Sequence, residues 1–151
     1  LRPVKDPLYF NNILKKLKEE NIILILIGNI VEGDYIFNDG IYYLGPFEKP
    51  IISSLYNQVD GLLNTSISEG MSSSILEAML NKCPVYARNI DGNCSLIENN
   101  YNGFLFNLPA DFLKLYNLDT TTIVSNAYNY VINNHNPLIE QKKYYDIINN
   151  L

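Results

Sequence analysis

Histidine and cysteine, the usual ligands of a bound metal, are nearly missing: the chain has one histidine and two cysteines in 151 residues. Cys83 and Cys94 lack metal-ligand spacing and have no histidine cluster beside them, so reduced thiols are expected rather than a metal centre. The one histidine, His135, lies in the polar run NNHNP and reads as a solvated loop residue, so a histidine-based dyad would have to borrow from outside the chain. Cations are outnumbered, 11 Lys and Arg against 16 Asp and Glu, for a formal net charge of −5. Nucleic acid and anionic membranes need a basic face, so neither is an expected partner, and any phosphate site must be built locally. The longest apolar run, Ile22 to Ile27, falls far short of the ~20 residues that span a bilayer. No Gly-x-Gly-x-x-Gly turn follows that run, which disfavours a dinucleotide oxidoreductase. No Asp-x-Asp pair is present to hold a catalytic cation. With no signal peptide, a soluble cytoplasmic domain is expected, although the chain opens in what reads as a domain interior.

What is present alternates short apolar runs with amphipathic stretches. Asp6 before Pro7 reads as a helix cap, and Phe10, Ile13, Leu14 and Leu17 then share one helical face to about Glu20. The run from Ile22 to Ile27 is apolar at every position and suits a strand covered on both faces, with Gly28 turning the chain at its carboxyl end. A turn near Gly40 precedes a strand over Ile41 to Leu44, then a helix over Lys49 to Asn57; further strands centre on Leu62 and Leu63 and on Pro84 to Ala87. This order predicts an α/β fold with an open parallel sheet and helices on both faces. Its ligands should sit beyond the carboxyl ends of the strands, where Gly28, Glu69 and the loop from Arg88 to Asn93 all fall. Residues 107–151 read as wholly helical, with a stripe at Ile123, Val124, Ala127, Tyr128, Val131 and Ile132. A last helix after Pro137 carries Tyr144, Tyr145, Ile147 and Ile148. Asn-rich stretches such as IENNYN read as solvated turns. With 151 residues and no internal linker, a single domain is expected.

The most informative segment is SEGMSSSILEAML, Ser68 to Leu80, which sets Glu69 and Glu77 around a turn-to-helix junction. Gly70 permits close approach of backbone to a ligand, and Ser72, Ser73 and Ser74 can cap or open a helix whose first N–H groups form an anion site. Were the segment helical throughout, the two carboxylates would stand roughly 12 Å apart at ~1.5 Å per residue. That span suits a ligand with hydroxyls at both ends and phosphates between.

The segment resembles the acidic motif of the family 4 retaining glycosyltransferases, GT-B enzymes built of two Rossmann-like domains. The resemblance extends over about Leu1 to Phe106, through VDGLLNTSISEG before the motif and PVYARNIDGN and NGFLF after it. It implies that the chain is the C-terminal, donor-binding half of a GT-B fold, residues 1–151 forming that domain and the N-terminal acceptor domain lying outside the chain. The implied substrate is a nucleoside diphosphate sugar, used without cofactor or metal, with a hexosyl group passed to an acceptor. By the same resemblance Glu69 contacts the donor sugar and Glu77 holds the ribose hydroxyls, while Gly70, Met71, Ser72 and Ser73 face phosphates and sugar. Arg2 and Lys5 would hold the diphosphate and act in catalysis with Glu69; they stand closer together than is usual in the family. Three serines replace the customary glycine and aliphatic residues after Met71. Arg88 could touch phosphate or acceptor or neither, and Tyr42, Tyr43 and Leu44 could pack the base or simply fill a strand. The alternative function is a sugar-nucleotide-binding or regulatory module without transfer, or the donor half of a split enzyme.

Overall fold

A computed structural model describes residues 1–150 of the chain, the side chains of Pro137, Ile139 and Glu140 excepted. Five short strands are all paired in parallel: β1 (Leu24–Leu26) with β2 (Ile41–Tyr43), and β3 (Leu62–Asn64) with β4 (Val85–Arg88), which in turn pairs with β5 (Phe104–Phe106). Helix α1 (Leu14–Glu19) precedes β1, and later connections carry α2 (Lys49–Leu55) between β2 and β3, α3 (Ser73–Leu80) between β3 and β4, and α4 (Asp91–Cys94) between β4 and β5. Three more follow β5: α5 (Pro109–Tyr116), α6 (Thr121–Asn134) and α7 (Pro137–Asn149). The α/β parallel architecture expected from the alternation is therefore present.

The two-residue period of a strand decides which core each side chain enters. Val85 and Ala87 of β4 join Ile75, Ala78 and Met79 of α3 and Ala127 and Val131 of α6 in one buried cluster. Tyr86, between them, points the other way, into a cluster with Phe10, Leu14 and Leu17, Phe104 and Phe106 of β5, and Phe112 of α5. That second cluster is aromatic: Phe10 meets Phe106 and Phe112 edge-on at centroid distances of 5.7 and 5.4 Å, and Tyr86 stacks on Phe104 at 5.3 Å. Edge-on and offset rings bury large areas in favourable geometry, so this layer fixes β4 and β5 against the N-terminal segment.

Three expectations need correction. The first helix does not start at Asp6; that residue adopts φ +44°, closing a 3-10 turn over Pro3–Lys5, and regular α-helix begins only at Leu14. The strand from Ile22 to Ile27 is not covered on both faces: Leu24 and Leu26 pack on the aromatic core, whereas Ile23 and Ile25 are 58% and 41% exposed. The connection from β1 to β2 carries no helix to cover that face, and the β1–β2 pair is separate from the β3–β4–β5 sheet. The first residues bridge these two pieces: the Leu1 carbonyl accepts from the Val31 N–H at 2.9 Å beyond β1, and the Val4 carbonyl from the Ile67 N–H at 2.8 Å beyond β3. Finally, the Asn-rich loop is not simply solvated, because Asn102 is buried, its amide capping the Glu98 N–H at 2.8 Å and the Leu96 carbonyl at 3.1 Å. No described helix is long and apolar enough to cross a membrane.

Candidate donor site at the strand ends

β3 ends at Asn64, and the chain then runs through a loop to α3, so Glu69 sits at the carboxyl edge of the sheet where the parallel topology places ligands. The Glu69 side chain is only 10% exposed, and one oxygen, Oε1, takes three donors: Lys5 Nζ at 2.6 Å, Ser66 Oγ at 2.7 Å and Asn64 Nδ2 at 3.2 Å. Its other oxygen has no partner among the described residues. Burial by itself would raise the Glu69 carboxyl, but these hydrogen bonds and the Lys5 charge together hold it below the ordinary carboxylate value.

The helix after it begins without a side-chain cap. Ser72 occupies the cap position, but its hydroxyl is buried, accepting from Asn64 Nδ2 at 3.3 Å and lying 3.1 Å from Ser74 Oγ. Ser72 thus serves the interior rather than the helix end, contrary to the capping expectation, and the first N–H groups of α3 lack a side-chain acceptor. Gly70, Met71 and Ser73 are exposed around that helix start. Glu77 lies half-buried within α3. Burial, with the Glu77 charge next in effect, pushes the Tyr56 hydroxyl up to about 12, and that hydroxyl donates to the Ser74 carbonyl at 3.3 Å.

Lys5 reaches Glu69 because the 3-10 turn before Asp6 is tied down on several sides. Thr65 Oγ1 donates to the Lys5 carbonyl at 2.8 Å, and Arg88 Nη1 donates to Asp6 at 3.0 Å and to the Thr65 carbonyl at 3.4 Å. The Arg88 guanidinium also lies 4.3 Å from the centre of the Tyr9 ring. Arg88 is thereby committed to the loop that carries Lys5. Arg2 is exposed and without an ion pair among the described residues. Gly28 is drawn to the other piece of sheet: at φ +130°, its N–H donates to the Gly45 carbonyl at 2.9 Å and its carbonyl accepts from Tyr43 Oη at 2.8 Å. Tyr43 stacks on Phe37 at 5.3 Å, while Tyr42 and Leu44 are about half exposed, at 51% and 50%.

The structure therefore gathers Lys5, Glu69, Gly70, Met71 and Ser73, turns Ser72 inward, and leaves Gly28 on the β1–β2 piece. It adds residues the sequence reading did not single out: Asn64, Ser66, Asn93 and Gly92. Gly92 carried the nearest signal, as a glycine in the loop after β4; a Cβ there would lie 2.1 Å from the Glu69 carbonyl oxygen.

Known proteins resemble this chain in sequence and in fold. The glycosyl transferases group 1 profile matches residues 1–115. Glycosyltransferase 1 domain-containing protein 1 of Xenopus tropicalis is 37% identical over 167 aligned positions, covering 100% of this chain and 48% of its own length. The UDP-Gal:alpha-D-GlcNAc-diphosphoundecaprenol alpha-1,3-galactosyltransferase of Escherichia coli is 31% identical across 72% of this chain and 31% of its own. Among solved structures, Anabaena Alr3699/HepE in complex with UDP-glucose matches with a TM-score of 0.81 at 23% identity, over 100% of this chain and 47% of that one. A glycosyltransferase from Rickettsia africae matches with a TM-score of 0.79 at 26% identity, over 95% and 44%. These neighbours have the GT-B fold, and the chain spans about half the length of the first curated relative. With three-quarters of its length under one family profile, the chain belongs to the glycosyl transferases group 1 family.

Proposed function

We propose that this chain is the donor-binding half of a retaining, metal-independent glycosyltransferase that moves a hexosyl group from a nucleoside diphosphate sugar to an acceptor. The observation that carries the reading is the Glu69 carboxylate, held on one oxygen by Lys5, Ser66 and Asn64 beside a helix start with uncapped N–H groups. A carboxylate bound by three donors is a weak base and a weak nucleophile, so Glu69 suits hydrogen bonding to sugar hydroxyls rather than covalent attack. Departure of the sugar leaves charge on the diphosphate, which Lys5, Arg2 and the α3 N–H groups would stabilise. Lys5 touches Glu69 at 2.6 Å, so one cation would link the phosphate end of the donor to its sugar end. In a retaining transfer the leaving phosphate oxygen would help remove the acceptor proton, on the same face of the sugar. Anabaena Alr3699/HepE, a neighbour in fold, has been solved with UDP-glucose and with UDP and glucose, which favours a uridine donor as the first to try.

The acceptor hydroxyl must be held within about 3–3.5 Å of the anomeric carbon, and such positioning is worth roughly 7–11 kcal/mol. We assign that task to an N-terminal GT-B domain outside this chain. The exposure of Tyr144, Tyr145, Ile147 and Ile148 on α7, at 68%, 58%, 60% and 65%, supports a further packing surface. Thermal shift with UDP-glucose, GDP-mannose and ADP-glucose tests the reading: one of them should raise the melting temperature in EDTA. No shift with any, or a shift only on adding a divalent cation, would overturn it. A radiolabelled-donor assay then separates donor binding from transfer, which the chain alone should not perform.

A further inference from the structure

Beneath Glu69 lies a layer of buried amides and hydroxyls, Asn64, Ser66, Ser72 and Asn93, between 0% and 7% exposed. Asn64 is its hub. Its Nδ2 donates to Glu69 Oε1 at 3.2 Å and to Ser72 Oγ at 3.3 Å, while its Oδ1 accepts from the Ser66 N–H at 3.1 Å and from Asn93 Nδ2 at 3.2 Å. Asn93 Nδ2 in turn donates to the Arg88 carbonyl at 2.9 Å. An unbroken path of hydrogen bonds thus runs from the end of β4, through α4, to the Glu69 carboxylate and the start of α3. Asn93 keeps this place at a cost, because its Oδ1 is buried without a partner among the described residues. What offsets that cost is its Nδ2, which serves the Asn64 Oδ1 and the Arg88 carbonyl together.

We infer that Asn64, braced by Asn93, is the positioning residue that fixes Glu69 with Oε1 turned to the protein and Oε2 left for the ligand. The inference rests on the donor reading for its purpose, and on the hydrogen-bond path for its content. A neutral amide is the side chain that suits the place, since it donates to Glu69 without setting a second charge beside it. The charged group in contact with Glu69 is Lys5, from the N-terminal turn.

Asn64→Asp tests this with almost no change of shape. It puts a carboxylate oxygen where Nδ2 stood, 3.2 Å from Glu69 Oε1. Two carboxylates at that distance cannot both ionise freely. Side-chain carboxyl NMR should therefore show Glu69 titrating below an ordinary glutamate in the native protein, and a coupled pair with one member raised by more than about one unit in the variant. Affinity for the tightest-binding of the three nucleotide sugars should fall about tenfold near pH 7.5 and largely recover near pH 5, where one proton restores a donor to Glu69. Affinity for the matching nucleoside diphosphate should stay within about threefold of the native protein's at each pH. A role in folding alone would not produce recovery in acid for one ligand and not the other. Asn93→Ser, which loosens Asn64 without adding charge, should weaken nucleotide-sugar binding in the same direction by about threefold. An unchanged Glu69 titration in Asn64→Asp, or equal losses for both ligands with no recovery in acid, overturns the inference. If the native protein binds none of the three sugars, the donor reading fails, and the Glu69 titration still decides whether Asn64 positions it.

Discussion

Gly92→Ala is the substitution whose consequence follows most directly from the geometry. Gly92 sits in the first turn of α4, pressed against the backbone of the Glu69 loop. A Cβ at this position would lie 2.1 Å from the Glu69 carbonyl oxygen and 2.7 Å from both its carbonyl carbon and the Gly70 oxygen. All three atoms are backbone, so no side chain can swing aside. Relieving the contact needs a shift of about 1 Å, from 2.1 Å to an ordinary carbon–oxygen separation of roughly 3.2 Å. Overpacking of this kind costs about 1–3 kcal/mol. For a chain of this size that lowers the melting temperature by roughly 3–10 °C. The shift falls on the segment that carries Glu69, so the contacts that segment offers a donor move with it. Calorimetry should therefore show lost nucleotide-sugar affinity together with lost stability. Gly70→Ala is the control: a Cβ there meets nothing within 4 Å, so stability should change by no more than about 0.5 kcal/mol. A Gly92→Ala protein with native melting temperature and native donor affinity would refute the argument.

Three further outcomes follow from the site. Replacing Lys5 or Arg2 by methionine should weaken nucleoside diphosphate binding by about 1–3 kcal/mol, and native binding should fall as salt rises, both read by titration calorimetry in EDTA. Glu77→Gln should weaken nucleotide and nucleotide-sugar binding together, whereas Glu69→Gln should spare the plain nucleotide; equal nucleotide losses in the two variants would refute the division. Glu69 titrates lower folded than unfolded, so its stabilisation is present above its ordinary value of about 4.5 and is lost as pH falls through the lower folded value. Chemical denaturation across that acid range should accordingly show a shallower loss in Glu69→Gln than in the native protein.

The parts legible in the sequence are those set by local pattern. The apolar positions of α3 recur at helical spacing, and Ile75, Ala78 and Met79 among them are buried, though Leu80 is exposed; Val85, Tyr86 and Ala87 of β4 are legible as a strand, but being apolar throughout they do not show which core each enters. The exposed face of β1 was not legible, because six apolar residues in a row look alike whether a sheet is covered on one side or two. Asp6 before Pro7 has the composition of a helix cap, yet the partner that decides its conformation, Arg88, lies 82 positions away. The serines after Met71 carry a strong local signal for capping, and it lost to Asn64, whose buried amide offers Ser72 a partner from the strand below. Asparagines were the least readable of all. In a chain rich in them, nothing local distinguishes Asn64 and Asn93, buried beneath Glu69, from the many that face solvent.

Backbone amide NMR during titration with a nucleoside diphosphate sugar in EDTA tests the central claim most directly. The account predicts saturable shifts centred on Lys5, Glu69 to Ser74 and the neighbouring α4 turn around Gly92, with Glu69 and Gly70 moving more for the sugar nucleotide than for the bare nucleotide. Saturable shifts confined elsewhere, or none with uridine, guanosine and adenosine donors alike, would contradict it.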